Sequence, residues 1–157
     1  MTATTTATAT AAPRIDLSRP WPPGYLAMLA FDRAVGATGL EQSLLDLVKQ
    51  RASQINGCAY CMDMHAKDAR AAGESQQRLD VLPAWREVPL FSERERAALA
   101  LTEAITLVAD THVPDEVVAG AQAHFSPEEL AQLVFNIVVI NAWNRISVTA
   151  RSPLPPA

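Results

Sequence analysis

Polar and apolar positions along the chain fall into helical periods separated by glycine and proline. Between Glu41 and Ile55 apolar side chains recur at Leu44, Leu47, Val48, Ala52 and Ile55, offsets of 3, 4, 8 and 11 from the first. That spacing marks one face of an amphipathic helix. Asn56-Gly57 then breaks it. A second helix is predicted from Cys58 to Ala72, stopped by Gly73, and an earlier one from about Tyr25 to Val35, closed by Gly36 and Gly39. A short helix near Ser75–Val81 and a turn at Pro83 follow. Ser92 with Glu95 forms a capping-box pattern, opening a helix with Ala97, Leu101, Ile105 and Val108 on one side. Pro114-Asp115-Glu116 predicts another start, with proline at the first helical position. Ser126-Pro127-Glu128-Glu129 predicts the last, combining an N-cap, a proline and acids that complement the helix dipole.

That last helix is apolar nearly all round: Leu133, Val134, Phe135, Ile137, Val138 and Val139 span its circumference. Such a helix must be buried on every side. A domain of 157 residues has little room for that, so part of this surface is expected to meet another copy of the chain in a homo-oligomer. No strand pattern and no internal repeat appears. The expected fold class is all-α.

The ends read differently. MTATTTATATAA is a low-complexity polar run, and Pro13 to Pro23 is proline-rich and extended. Residues 1–20 are expected as a flexible tail, 21–151 as one helical domain and 152–157 as an irregular tail. The start carries neither the positive region nor the apolar region of a secretory signal. No uninterrupted apolar run reaches the roughly 18–20 residues of a membrane span. A formal charge of −4, with no Lys/Arg cluster, argues against nucleic acid and anionic membrane as partners. Two cysteines three positions apart, in a chain with no others, cannot form the spread framework of a secreted mini-domain. They point to redox or metal chemistry in a reducing compartment, with the cytoplasm as the expected location.

The chemistry lies in QINGCAYCMDMHAKDAR. Cys58 and Cys61 sit at a predicted helix start, where two intervening residues let the sulfurs approach bonding distance. Partial positive charge and unpaired amides at a helix N-terminus stabilise a thiolate, which is the nucleophile. His65, four residues after Cys61, shares its helix face and can accept or deliver a proton. Asp46 on the preceding helix is the candidate acid behind it. If the two helices form an antiparallel hairpin with ~1.5 Å rise per residue, Asp46 reaches His65 directly or through water, but not Cys61.

At these residues the sequence resembles a known family. LLDLVKQRASQINGCAYCMDMHAKDARAAGE is similar to the core motif of AhpD-like alkylhydroperoxidases of the carboxymuconolactone-decarboxylase-like superfamily. The likeness continues through PAWREVPLFSERERAALALTEAIT, HVPDE and AHFSPEELAQLVFNIVVINAWNR, from about Tyr25 to Arg151. The resemblance implies a compact all-helical bundle assembled as trimers or hexamers. It also implies a thiol-dependent peroxidase with no metal and no organic cofactor, acting on a small hydroperoxide and re-reduced by a protein dithiol. Carried over, Cys61 attacks the peroxide, Cys58 resolves the sulfenic acid as a disulfide, and His65 relays protons. The sulfur of Cys61 is then expected to ionise readily near neutrality. Asp46 stands where the family pattern usually has glutamate, so weaker or water-mediated coupling to His65 is expected. The decarboxylase branch lacks the CxxC pair, so lactone decarboxylation is not implied.

Other readings stay open at this point. The dithiol could serve protein dithiol–disulfide exchange without peroxide specificity, or report redox state in a non-catalytic oligomeric sensor. Structural zinc normally takes four ligands, and beyond Cys58, Cys61 and His65 only His112 or His124 could complete a set. Two inert buried thiols are a further possibility. Tyr60 could line a pocket or pack on a neighbouring helix. Met62 and Met64 are read as filler, and Asn141, Trp143, Asn144 and Arg145 as a cluster for structural hydrogen bonding and subunit packing.

Overall fold

The computed structural model describes residues 12–155. Among them lie eight α-helices and one 3-10 segment, with no strand: α1 (Pro22–Gly36), α2 (Gln42–Asn56), α3 (Ala59–Ala71), α4 (Gln76–Val81), a 3-10 stretch (Leu82–Glu87), α5 (Glu93–Thr106), α6 (Val108–Thr111), α7 (Asp115–Gln122) and α8 (Pro127–Ala150). The all-α class is as the periodicity predicts. Both predicted capping boxes form: Ser92 with Glu95 opens α5, and Ser126 with Glu129 opens α8. Two details differ. Pro114 is the N-cap of α7 rather than its first helical residue. The helix through Leu101 stops at Thr106, so Val108 falls on the separate turn α6 and is exposed.

The centre of the domain is α2, packed against α3, α5 and α8. Leu44, Leu45 and Val48 join Ala98, Leu101, Phe125, Leu133 and Ile137 in one core cluster. Leu47 turns the other way, to Leu82, Trp85, Phe91 and Leu99. The helix is therefore buried on more than the one face its apolar period predicts. Its polar stripe of Asp46, Gln50 and Ser53 is also buried. Buried polar side chains need partners: Ser53 Oγ receives Asn144 of α8, and Asp46 receives Gln42 of its own helix.

Helix α8 has 24 residues and mean hydropathy 1.3 over its most apolar stretch, long and apolar enough to cross a membrane by length and composition. Its buried side includes Asn136, Asn141, Asn144 and Ser147 as well as Leu133, Ile137, Val139 and Ile140, so it serves as a core helix of this domain. Phe135 and Val138 remain exposed on its other side, and the ring of Phe135 meets Phe31 of α1 edge-on at 6.2 Å.

Of the expected N-terminal tail, residues 1–11 lie outside the described residues. Residues 12–20 carry no helix, and Arg14 N–H donates to Ala150 O at 2.8 Å, tying this segment to the end of α8. Of the expected C-terminal tail, residues 152–155 are described and are irregular.

Candidate active site

The site begins at the turn between α2 and α3. Gly57 adopts φ 63°, a left-handed conformation that costs glycine little. Its N–H donates to Gln54 O at 3.2 Å, and the Cys58 N–H donates to Ser53 O at 3.0 Å. These two bonds close α2 as a Schellman motif and deliver Cys58 directly to the N-cap of α3. There the Cys58 sulfur takes the role usually played by a serine or aspartate oxygen: it accepts the backbone N–H of Cys61 at 3.4 Å. The two sulfurs lie 2.7 Å apart and share a hydrogen bond. Both residues are buried, each 1% exposed.

The pair titrates as a unit. Cys58 is pulled down to about 6, first by the hydrogen bond from the Cys61 thiol, then, against the cost of burial, by the Cys61 backbone N–H and the side chains of Asn144 and Ser147. Cys61 is pushed up by the same contact with Cys58, by burial and by the charge on Cys58. One proton leaves easily and the second does not. The resemblance implies a readily ionised sulfur at position 61, whereas the geometry favours the anion on Cys58. The cause is local, since Cys58 holds the N-cap and collects the helix-terminal amide.

A cavity of about 840 Å³ opens beside the pair. Its walls come from α1 (Tyr25, Leu29), α2 (Gln42, Asp46, Lys49), α3 (Tyr60, Cys61, Met64, His65) and α8 (Ile140, Trp143, Ser147), with residues 13–18 and 152–153 at the margin. Cys61 reaches this space, whereas Cys58 is not among its lining residues. His65 is largely buried, and burial first, then the charge of Lys49, holds its imidazole at about 4. The ring is therefore neutral at pH 7.

Cys61, His65 and Asp46 share this cavity, but no hydrogen bond among the described residues joins Asp46 to His65. Asp46 instead accepts Gln42 Nε2 at 2.6 Å. Burial raises its carboxyl above the usual range despite the Gln42 bond and the charge of Lys49, and Asp68 and Glu74 add to the rise. Among the described residues no three His, Cys, Asp or Glu side chains converge as a metal site. His112 and His124 are exposed.

Asn144 has a larger place here than its sequence context suggested. It is fully buried, donates from Nδ2 to Ser53 Oγ at 3.1 Å and accepts Asn56 Nδ2 at 2.9 Å. Asn56 also donates to Asn141 Oδ1 at 3.0 Å, and Asn141 donates to Thr106 Oγ1 at 3.0 Å. This chain of amides and hydroxyls backs the sulfurs from α8. The signal available beforehand was four asparagines on α2 and α8 (Asn56, Asn136, Asn141, Asn144) in otherwise apolar surroundings. Such amides are buried only with partners.

The sequence model of the carboxymuconolactone decarboxylase family matches residues 22–104, from α1 into α5. The chain belongs to this family, on its AhpD-like side. The uncharacterized protein YdfG of Bacillus subtilis is 42% identical over 127 residues, covering 81% of this chain and 86% of that protein. A crystal structure from Agrobacterium tumefaciens, of a protein of unknown function offered as a candidate AhpD antioxidant defence protein, superposes with TM-score 0.89 at 41% identity. It covers 93% of this chain and 100% of the other. The apo debrominase Bmp8 matches with TM-score 0.76 at 19% identity, over 85% of this chain and 72% of its own, a likeness of fold. The dithiol corner lies inside the region that the family model matches.

Proposed function

We propose that this AhpD-like protein is a thiol-dependent peroxidase that reduces small hydroperoxides through a Cys58–Cys61 dithiol/disulfide cycle. The observation that carries the reading is the pair itself: two sulfurs 2.7 Å apart, holding one easily lost proton, with only Cys61 facing the cavity. The candidate antioxidant role of the Agrobacterium relative supports it.

In the cycle, proton transfer across the 2.7 Å contact moves the negative charge from Cys58 to Cys61. The Cys61 thiolate attacks the terminal peroxide oxygen, the O–O bond breaks, and the departing oxygen takes a proton to become the alcohol. This leaves a sulfenic acid on Cys61. Cys58 then attacks Cys61 Sγ, the S–O bond breaks, and the hydroxyl departs with the Cys58 proton as water. A protein dithiol, presented on a protruding loop, returns the disulfide to two thiols. His65, neutral and one turn beyond Cys61, offers one donor and one acceptor nitrogen. It carries the proton first released by the pair out of the cavity. Asp46 orients it only through an intervening water, because Gln42 holds the carboxyl. The protein works in a reducing compartment, the cytoplasm, as a homo-oligomer joined through the Phe135 and Val138 side of α8.

One observation favours a second reading. A low thiolate at the first cysteine of a CxxC motif suits dithiol–disulfide exchange with a protein. Against it, both sulfurs are 1% exposed, so a protein loop would have to enter the cavity in both half-reactions of exchange, whereas the peroxidase cycle needs such entry only for re-reduction.

The test is peroxide consumption by purified, reduced protein supplied with a dithiol. Turnover should be lost by at least 1,000-fold in Cys61→Ser, of the order that removal of a nucleophile causes. Cys58→Ser should retain a single turnover and stop at the sulfenic acid on Cys61. Unchanged peroxide removal by Cys61→Ser would sink the reading. Oxidation by a protein disulfide faster than by peroxide would replace it with the exchange reading.

A further inference from the structure

Within the peroxidase reading, the alkoxide that leaves when the O–O bond breaks needs a proton, and His65 is badly suited to give one. It is neutral, and another proton binds it only in acid. The carboxylates at the cavity, Asp16, Asp32 and Asp68, are acceptors when ionised, and Asp46 is engaged by Gln42. Lys49 stands apart. It lines the same cavity as Cys61 and His65, three residues after Asp46 on α2, and it is the sole lysine or arginine among the described lining residues. It is half-buried, and its Nζ makes no hydrogen bond or ion pair among the described residues. Its charge acts on both Asp46 and His65. An ammonium held in a partly buried wall without a partner is a donor set aside for something that enters the cavity.

We propose that Lys49 is the acid that protonates the departing alkoxide. As Cys61 Sγ bonds to the terminal peroxide oxygen, the electron pair of the O–O bond goes to the other oxygen. That oxygen takes one proton from Lys49 Nζ, giving the alcohol and a neutral amine. Solvent reprotonates the amine before the next turnover. The proposal rests on the peroxidase reading and adds the identity of its acid. It also favours alkyl hydroperoxides and hydrogen peroxide over peroxyacids, because an alkoxide or hydroxide leaving group requires a proton and a carboxylate does not.

The experiment compares two oxidants with the full chain: cumene hydroperoxide, which expels an alkoxide, and peracetic acid, which expels a carboxylate that leaves unprotonated. Lys49→Met should lose about 100-fold in kcat/KM on cumene hydroperoxide, within the range for removal of a general acid. It should lose no more than about 5-fold on peracetic acid, whose rate also shows that the variant is folded. Lys49→Arg keeps the charge but cannot give up its proton, so it should stay slow on cumene hydroperoxide. Equal losses on both oxidants would mean that Lys49 serves only the thiolate or the fold, and would overturn the proposal, as would no loss on either. A loss with Tyr60→Phe that Lys49→Met does not show would move the role to Tyr60. In the unmodified protein, substituted cumyl hydroperoxides should show a shallow dependence of kcat/KM on the acidity of the alcohol formed. A steep dependence overturns the assignment without any variant. If the unmodified protein consumes neither oxidant, the peroxidase reading itself falls and Lys49 with it.

Discussion

Two carboxylates, Glu103 half-buried and Asp46 buried, show how differently this fold treats the same chemical group. Glu103 on α5 receives Arg51 Nε at 2.8 Å and Trp85 Nε1 at 3.0 Å on one oxygen and Arg86 on the other. Burial would raise it, but the hydrogen bonds from Arg86, Trp85 and Arg51 win and hold it below the usual range. Asp46 on α2 is buried, receives among the described residues only the Gln42 amide, and is raised. Desolvation is common to both sites, and the number of cationic donors decides the direction. The first corner is closed, with the guanidinium of Arg86 over the Trp85 ring at 4.0 Å. The second opens onto the cavity beside Cys61. A carboxylate that is saturated with donors holds the fold together. One left short of donors beside the cavity keeps a raised carboxyl.

The sharpest way to break this contrast is at the saturated end. Glu103→Gln removes the charge that faces Arg51 while leaving that guanidinium mostly buried, its side chain 16% exposed. Breaking such a pair from one side should cost about 3 kcal/mol, a fall in Tm of roughly 6–12 °C for a chain of this size. Thermal unfolding followed by circular dichroism measures it. Peroxide turnover per folded molecule should stay within about twofold. A stable but inactive variant would reverse the roles given to the two corners.

At the open corner the comparable substitution is Asn144→Ala. It removes the amide between Ser53, Asn56 and the sulfurs, at a cost of about 1–3 kcal/mol for the stranded groups. It should also raise the pH at which the dithiol reacts. With the unmodified protein, the rate of alkylation by iodoacetamide should be half-maximal near the about 6 of Cys58. In the variant the midpoint should rise by about 1 unit, equivalent to ~1.4 kcal/mol. A loss of stability with no movement of the midpoint would reduce Asn144 to a packing residue.

These corners also mark what was legible beforehand. Helix starts and stops were readable because they depend on neighbours: Ser126 with Glu129, Gly57 after Asn56, Gly73 after Ala72. The dithiol was readable for the same reason, since Cys58 and Cys61 lie on one turn. The charge state of that turn was not. Which sulfur carries the anion depends on which one takes the N-cap amide, and the ease with which the pair loses a proton depends also on Asn144 and Ser147, more than 80 residues away along the chain. The Glu103 corner was silent in sequence because Arg51, Trp85 and Arg86 reach it from two other elements. Lys49 went unremarked because a lysine three places from an aspartate on a helix is ordinary until a cavity is seen beside it.

The smallest effect, and the one that separates the two carboxylates most cleanly, belongs to Asp46→Asn. A group whose carboxyl is raised in the folded protein binds its proton more tightly folded than unfolded. Its contribution is harmless below the unfolded value, turns unfavourable as pH rises through the folded value, and stays so above it. Replacing Asp46 with asparagine removes that unfavourable part. Above the window the variant should match or exceed the unmodified protein by about 1 kcal/mol, and the gain should vanish at lower pH, where the carboxyl is protonated in both states. Glu103 has the opposite sign: its lowered carboxyl contributes stability above its unfolded value, and that stability is lost as pH falls through the folded one. Denaturant titrations of Asp46→Asn and Glu103→Gln at pH 7 and pH 3 therefore should diverge at the first and approach each other at the second. If Asp46→Asn loses stability at pH 7, Asp46 has a stabilising partner in solution beyond Gln42. The contrast between a carboxylate saturated with donors and one short of them would then fail.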